Sequence, residues 1–148
     1  MTTDAFIDTN VLLYAVSNSA KEIEKKWLAR GLLEKANFGL SAQVLQEFYV
    51  NATGKLARTL PEAEAMEFIR WLEQFPIVPT DLALFHQAVE IRNRYRISYW
   101  DAAILVAAKA LGATTLYSED LSHGQVYGGV RVVNPFLELE AQAAPPSS

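Results

Sequence analysis

The sequence contains no cysteine and only two histidines among its 148 residues. Without cysteine there can be neither a disulfide framework nor a zinc–thiolate site. The two histidines, His86 and His123, lack the spacing of metal ligands, and a mechanism based on a histidine base has little support. Glycine-rich phosphate loops are also missing, since neither GxGxxG nor GxxxxGK[ST] occurs. The carboxylates therefore become the main candidates for chemistry.

Long apolar segments are equally absent. The longest, Ala102 to Ala108, is far too short to span a bilayer, and residues 1–4 lack the basic and apolar regions of a signal peptide. We therefore expect a soluble, cytoplasmic protein with no membrane partner. With 51% hydrophobic and 20% charged residues, the composition indicates one globular domain. We place that domain at residues 1–137 and expect residues 138–148, rich in Ala, Pro and Ser, to form a disordered tail.

Short apolar runs alternate with longer segments of helical periodicity. Predicted strands cover residues 4–8, 38–40, 76–78, 114–117 and 130–133. Predicted helices cover residues 10–16, 20–36, 42–54, 61–74, 81–95 and 99–111. Strands separated by helices predict an α/β fold, in which a parallel sheet carries helices on both faces.

Asp8 is the most informative residue, because it ends the apolar run Ala5–Ile7 and precedes a predicted helix. This pattern places its carboxylate at the C-terminal end of a buried strand, the edge where open α/β sheets bind ligands. Glu47, Asp101 and Asp120 occupy comparable positions at the ends of other elements. Four carboxylates brought together repel one another, and hard cations would neutralise them. Two divalent ions would also cancel the net charge of -4, which otherwise argues against binding nucleic acid.

Each acid also has an ordinary structural interpretation. Asp8 is a good N-cap residue for the helix behind it, and Asp101 lies at the position of a capping-box acid. Glu47, taken alone, reads as a solvated surface residue. One member of the Glu119–Asp120 pair could be a plain loop acid, and we expect Glu119 to be the solvated one.

Five segments together resemble the PIN-domain family, and within it the VapC-like toxin ribonucleases of bacterial type II toxin–antitoxin pairs. They are residues 6–14 (FIDTNVLLY), 45–49 (LQEFY), 99–104 (YWDAAI), 116–120 (LYSED) and 133–136 (VNPF). Each segment is short, but their order and spacing are specific, and they span nearly the whole chain. One departure is Glu119, which precedes Asp120 where many relatives have a basic or neutral residue.

The resemblance implies a PIN-like three-layer α/β/α fold with a central, mostly parallel sheet of about five short strands. It also implies Mg²⁺- or Mn²⁺-dependent cleavage of RNA, a homodimer and a cognate antitoxin protein that inhibits the enzyme. The family's catalytic, metal-binding acids fall on Asp8, Glu47, Asp101 and Asp120. Its polar helper residues fall on Thr9, Asn10 and Ser118.

Basic residues near these acids are candidates for holding RNA. Arg92 and Arg96 precede Asp101 closely, and Lys25 and Lys26 form a second cluster. The alternative for both clusters is an ordinary solvated helix face. Large aromatic residues on the predicted helices exceed what one small core readily hides, which predicts a partner surface. They are Trp27, Tyr49, Phe68, Trp71 and Phe75.

Three other functions compete with a toxin ribonuclease. A phosphatase of the haloacid-dehalogenase type also places an Asp after its first strand, but it needs a second Asp two residues later, where this chain has Asn10. A housekeeping RNA-processing PIN nuclease would use the same acids. A non-catalytic metal- or RNA-binding module would not need all four of them.

Overall fold

The computed structural model describes residues 3–54 and 60–143. The strands are β1 (Ala5–Ile7), β2 (Phe38–Ser41), β3 (Ile77–Val78), β4 (Thr115–Tyr117), β5 (Val126–Tyr127) and β6 (Val130–Val133). The helices are α1 (Thr9–Ala15), α2 (Ile23–Lys35), α3 (Ala42–Thr53), α4 (Glu62–Leu72), α5 (Leu82–Tyr95), α6 (Tyr99–Ala110) and α7 (Leu137–Ala143). A 3₁₀ turn over Ala20–Glu22 leads into α2.

One sheet runs through the molecule in the strand order β3-β2-β1-β4-β6-β5. All neighbouring strands are parallel except β5 and β6, which form an antiparallel hairpin. In the centre, Ile7 of β1 lies opposite Tyr117 of β4. The residues that follow, Asp8 and Ser118, therefore leave the sheet side by side at its carboxyl edge.

Four of the described helices begin at a residue whose side chain accepts a hydrogen bond from the first turn. Asp8 caps α1, Ser41 caps α3, Asp81 caps α5 and Ser98 caps α6. Such caps satisfy backbone N–H groups that have no partner within the helix. Asp8 directly follows β1 and Ser41 is the last residue of β2, so the starts of α1 and α3 lie at the same edge of the sheet.

The core lies between the sheet and its helices. Strand β1 is buried throughout, and α6 is buried from Ala102 to Ala108. Helix α6 is apolar on every side over these residues, and burial removes nearly all of that surface from water. Helix α5 packs along α6, while α1 packs against both α2 and α3. Along the described ranges, no helix is both long and apolar enough to cross a bilayer.

The sequence prediction is wrong about two short elements near the C-terminus. The sheet has six strands, because Val126–Tyr127 forms a hairpin with β6. Its turn is made by Gly128 and Gly129 with φ of 56° and 91°, a left-handed conformation that favours glycine. Two-residue strands are too short to show an alternating pattern, so the sequence carried little signal for β5.

The second correction concerns the expected tail. Residues 138–143 belong to helix α7 and are not a disordered tail, whereas residues 144–148 lie outside the described part of the chain. The helix follows Phe136, which is fully buried, and its Glu140 N–H donates to the Phe136 carbonyl. Glu140 also pairs with Lys25 at 3.5 Å, which ties α7 to α2. The boundary of the domain at residue 137 remains a prediction.

Candidate active site

Asp8 is a carboxylate almost completely enclosed by protein, with an exposed fraction of 4%. Its Oδ1 accepts a hydrogen bond from the Thr9 N–H at 2.8 Å, and its Oδ2 accepts one from the Ser118 hydroxyl at 2.8 Å. Burial raises the pKa of Asp8 to about 6, and the charges of Asp120 and Glu47 add to this rise. The two hydrogen bonds act in the opposite direction but do not outweigh burial.

Glu47 projects from the second turn of α3 towards the same edge of the sheet. The Thr9 hydroxyl donates to its Oε2 at 2.9 Å, and the Gln43 amide donates to its Oε1 at 2.9 Å. Gln43 lies one turn earlier on α3 and is itself buried. Both carboxylate oxygens are therefore held in place, and Glu47 is not the freely solvated residue that its sequence environment alone suggests.

Asp120 is positioned by the loop that follows β4. The Asn10 amide donates to its Oδ2 at 3.0 Å, and the Asp120 N–H donates to the Ser118 hydroxyl oxygen at 3.1 Å. Ser118 thus links Asp8 and Asp120 through a single hydroxyl group. Asn10 acts here as a donor to a carboxylate, a role that a second Asp of the phosphatase type could not fill when ionised.

Asp101 lies in the first turn of α6, where its N–H donates to the Ser98 hydroxyl oxygen at 3.0 Å. Burial raises the pKa of the Asp101 carboxyl, and the charges of Asp120 and Glu47 raise it further against the Ser98 hydrogen bond. Ser98 therefore caps this helix by accepting from the backbone N–H of Asp101, as the capping interpretation predicted. The same electrostatic partners act on Asp8 and Asp101, so the four acids occupy one electrostatic neighbourhood.

The chemistry of this cluster suits a hard divalent cation. All four side chains offer oxygen ligands, which Mg²⁺ and Mn²⁺ prefer. Within residues 3–54 and 60–143, no three Asp, Glu or His side chains already lie close enough to hold an ion between them. That spacing is compatible with Mg²⁺, because Mg²⁺ keeps several of its waters and needs only one or two direct carboxylates.

Glu119, the acid beside Asp120, points into a different group of residues. It accepts a hydrogen bond from the Tyr14 hydroxyl at 2.6 Å and pairs with the Lys25 ammonium at 3.3 Å. The expectation that Glu119 is the solvated member of the pair is therefore wrong, since it is half-buried while Asp120 is exposed. Burial raises the pKa of Tyr14 to about 12, and the hydrogen bond to Glu119 acts in the same direction.

The basic residues predicted to bind RNA differ in whether their charges are already paired within the protein. Lys25 is engaged within the protein by Glu119 and Glu140. Arg92 is exposed on α5 and bonds the neighbouring Asn93, whereas Arg96 follows the end of α5 in a left-handed conformation with φ of 57°. Arg96 therefore lies just beyond the helix that carries Arg92. Lys26 lies beside a cavity between α2 and α4.

Of the residues that hold the acids in place, Thr9, Asn10 and Ser118 were expected from the family resemblance, whereas Gln43 was missed. Its amide nitrogen contacts both Glu47 and, at 3.3 Å, the backbone carbonyl of Trp100. Its position one turn before Glu47, on the same side of α3, is the only signal that could have indicated it. The contact with Trp100 joins residues 57 positions apart, and no local pattern predicts it.

The family model of the PIN domain matches residues 5–129. No curated protein matches the sequence.

Several solved structures share the fold. The VapC20 toxin of Mycobacterium tuberculosis, which cleaves the sarcin–ricin loop, is 20% identical with a TM-score of 0.65, covering 86% of this chain and 99% of its own. A toxin–antitoxin complex from Klebsiella pneumoniae is 21% identical with a TM-score of 0.62, covering 89% and 98% respectively. The DNA-bound VapBC complex of Salmonella typhimurium is 17% identical with a TM-score of 0.60, covering 88% and 96%.

Proposed function

Because this chain belongs to the PIN-domain family, we propose that it is a metal-dependent endoribonuclease and the toxin of a toxin–antitoxin pair. The observation that carries the proposal is the convergence of four carboxylates from four distant segments on the carboxyl edge of the sheet. Asp120 and Glu47 each act electrostatically on both Asp8 and Asp101. A bound cation would neutralise the negative charge that is gathered at this partly buried place.

Asp8 and Asp101 are the proposed principal ligands of Mg²⁺ or Mn²⁺, and Glu47 and Asp120 complete the shell, partly through water. Such an ion supplies a water of lowered pKa and stabilises negative charge that develops on the phosphate oxygens. Ser118, Thr9 and Asn10 keep the carboxylates oriented, as their hydrogen bonds to Asp8, Glu47 and Asp120 indicate.

The proposed substrate is RNA, whose phosphodiester bonds are hydrolysed at this edge. The chain's residues would hold the ion and position the scissile phosphate beside it. Basic groups outside the cluster would bind the neighbouring phosphates, with Arg92, Arg96 and Lys26 as candidates. Lys25 is a weaker candidate, because its ammonium already pairs with Glu119 and Glu140.

A cognate antitoxin and a second copy of the chain are the proposed protein partners. Trp27 and Trp71 are 61% and 41% exposed. Beside Trp71 lies a cavity of about 490 Å³ between α2 and α4, where Phe68 and Leu60 supply apolar surface and the charged side chains of Lys26, Arg30, Glu64 and Glu67 also line the wall. An amphipathic helix of the antitoxin would place its apolar face in such a groove. Inhibition would follow if a basic side chain of the antitoxin entered the acid cluster.

Cleavage of RNA in the presence and absence of divalent cations tests the proposed activity. The purified protein should cleave structured RNA with Mg²⁺ or Mn²⁺ and stop when a chelator is added. Asp8→Asn and Asp101→Asn should abolish cleavage while leaving the circular dichroism spectrum unchanged. Glu119→Gln is the matched control, because it removes an acid that faces Tyr14 instead of the cluster, and it should retain activity.

Cleavage that continues in excess chelator would refute the metal mechanism. Full activity in both aspartate variants would show that the site lies elsewhere. If either variant unfolds, its carboxylate serves the fold as a helix cap and the metal role at that position fails.

A further inference from the structure

Trp100 is a large aromatic residue left open to solvent directly beside the acid cluster. Its exposed fraction is 63%, although it precedes Asp101 in the first turn of a helix whose next residues are buried. The Val50 side chain, which is also 63% exposed, borders the same cavity as the indole, and exposed apolar surface grouped in this way marks a site where a ligand or partner binds. Trp100 directly precedes Asp101, a proposed ligand of the metal ion, so we expect the molecule that covers the indole to bind at the active site.

The backbone under Trp100 is fixed to the cluster. The buried Gln43 amide nitrogen donates to the Trp100 carbonyl at 3.3 Å and to Glu47 Oε1 at 2.9 Å. One amide group therefore spans the distance between a proposed catalytic acid and the residue carrying the indole. The Tyr99 ring meets the Trp100 ring edge-to-face, with centroids 5.0 Å apart, and supports it from the side.

A shallow cavity of about 370 Å³ lies between this indole and α3. Its walls combine apolar surface from Trp100 and Val50 with the amide side chains of Gln46 and Asn51, and Glu47 borders it. Among the described residues that line the cavity, none is Lys or Arg. A phosphate group would find no positive charge here, whereas a flat, uncharged molecule with a hydrogen-bonding edge fits both the indole and the amides.

We propose that Trp100 stacks on an unpaired base of the RNA substrate, and that the adjoining cavity receives this base next to the scissile phosphate. The inference rests on the proposed ribonuclease function and adds to it one side chain that contacts the base beside the cleaved bond. Aromatic side chains bind unpaired bases by stacking, which duplex RNA does not permit because its bases are already stacked. Amide groups such as that of Gln46 can then bond the edge of the base.

Binding measurements in an Asp8→Asn background test this inference without cleavage of the probe. The probes are a short, fluorescently labelled single-stranded RNA of mixed sequence and a duplex RNA of the same length, each measured with and without Mg²⁺. Trp100→Ala should weaken binding of the single strand by roughly 5- to 150-fold, the range typical of losing one stacked base. Trp100→Phe, which keeps an aromatic face, should restore most of the affinity, and binding of the duplex should change little.

Two further readouts separate stacking from other roles. The slope of log affinity against log salt should be the same in Trp100→Ala as in the parent, since no phosphate contact is lost. Trp27→Ala is the matched control, because Trp27 has a similar exposed fraction of 61% but lies on α2 beside Arg30. It should leave the affinity for the single strand unchanged.

Unchanged affinity for single-stranded RNA in Trp100→Ala would overturn the inference, as would an equal loss for single strand and duplex. A change in oligomeric state of Trp100→Ala in light scattering would also overturn it, by assigning the indole to a protein interface. These failures differ from failure of the proposed function. If RNA binds in a Trp100-dependent manner but no divalent cation supports cleavage by the wild type, only the ribonuclease proposal fails.

Discussion

The metal-free protein should become more stable when Asp8 is replaced by Asn. In the folded protein burial raises the pKa of Asp8 from 3.8 to about 6. At about 1.4 kcal/mol for each unit of pKa, this difference costs the folded state ~3 kcal/mol at neutral pH. Asparagine carries no charge and still caps the helix well. The hydrogen bond between this side chain and Ser118 must rearrange in the variant, and this loss removes ~1 kcal/mol of the gain in stability. The expected net gain is about 2 kcal/mol.

The difference in unfolding free energy between Asp8→Asn and the wild type should depend on pH. Between pH 3.8 and about 6 the Asp8 carboxyl is protonated in the folded state and ionised in the unfolded state. The folded state then binds more protons, so wild-type stability from this group falls as the pH rises through that window. The Asp8→Asn variant lacks this contribution. Its advantage should therefore be greatest above pH 6, should shrink as the pH falls, and should give way near pH 4 to a small disadvantage from the altered Ser118 hydrogen bond.

Urea unfolding in chelator at a series of pH values measures the difference directly. Asp81→Asn is the matched control, because Asp81 caps α5 through a 2.8 Å hydrogen bond from Leu84 but is exposed. It reports the effect of exchanging Asp for Asn at a helix cap without burial. An Asp8→Asn protein that is less stable than the wild type at neutral pH, or whose difference from the wild type does not vary with pH, would refute the reasoning.

Three further predictions concern residues around the site and the assembly. Lys25→Met should lower the free energy of unfolding by ~1 kcal/mol, because it removes partly buried ion pairs to Glu119 and Glu140; urea unfolding tests this, and an unchanged midpoint would contradict it. The double variant Arg92→Ala, Arg96→Ala should weaken binding of all RNAs alike. The slope of log affinity against log salt concentration should also become shallower, by about one unit for each lost phosphate contact. Unchanged affinity at low and high salt would show that both are ordinary surface arginines. Light scattering at tens of micromolar, roughly where specific association is populated, should show a dimer, and a monomer would count against the proposed assembly.

The parts of the fold that could be predicted are those with a local chemical signature. The run Ala5–Ile7 is buried as predicted, and β6 occupies residues 130–133 as predicted. Helix starts at Ser41 and Ser98 follow from side chains that accept hydrogen bonds from the first turn. Strand β5 could not be predicted in the same way, because it owes its existence to pairing with β6 and to a two-glycine turn.

The candidate site shows the same division. The positions of Asp8 and Asp120 at the sheet edge follow from the order of strands and helices. Their hydrogen bonds to residues far away in the chain do not follow from any local pattern, and Ser118 was expected only from the family resemblance. The Ser118 hydroxyl reaches Asp8 across 110 positions, and Glu119 turns towards Tyr14 across 105. Such contacts depend on the relative placement of whole elements, which a single sequence does not encode in any local pattern.

Binding of Mn²⁺ to the protein tests most directly the claim that the four carboxylates form a metal site. Free Mn²⁺ gives a six-line electron paramagnetic resonance signal that weakens when the ion binds to protein. Titration of the wild type should reduce this signal saturably, and excess Mg²⁺ should restore it by competition. Asp8→Asn and Asp101→Asn should each abolish the effect. A wild-type protein that leaves the signal unchanged, or variants that bind Mn²⁺ as tightly as the wild type, would contradict the account.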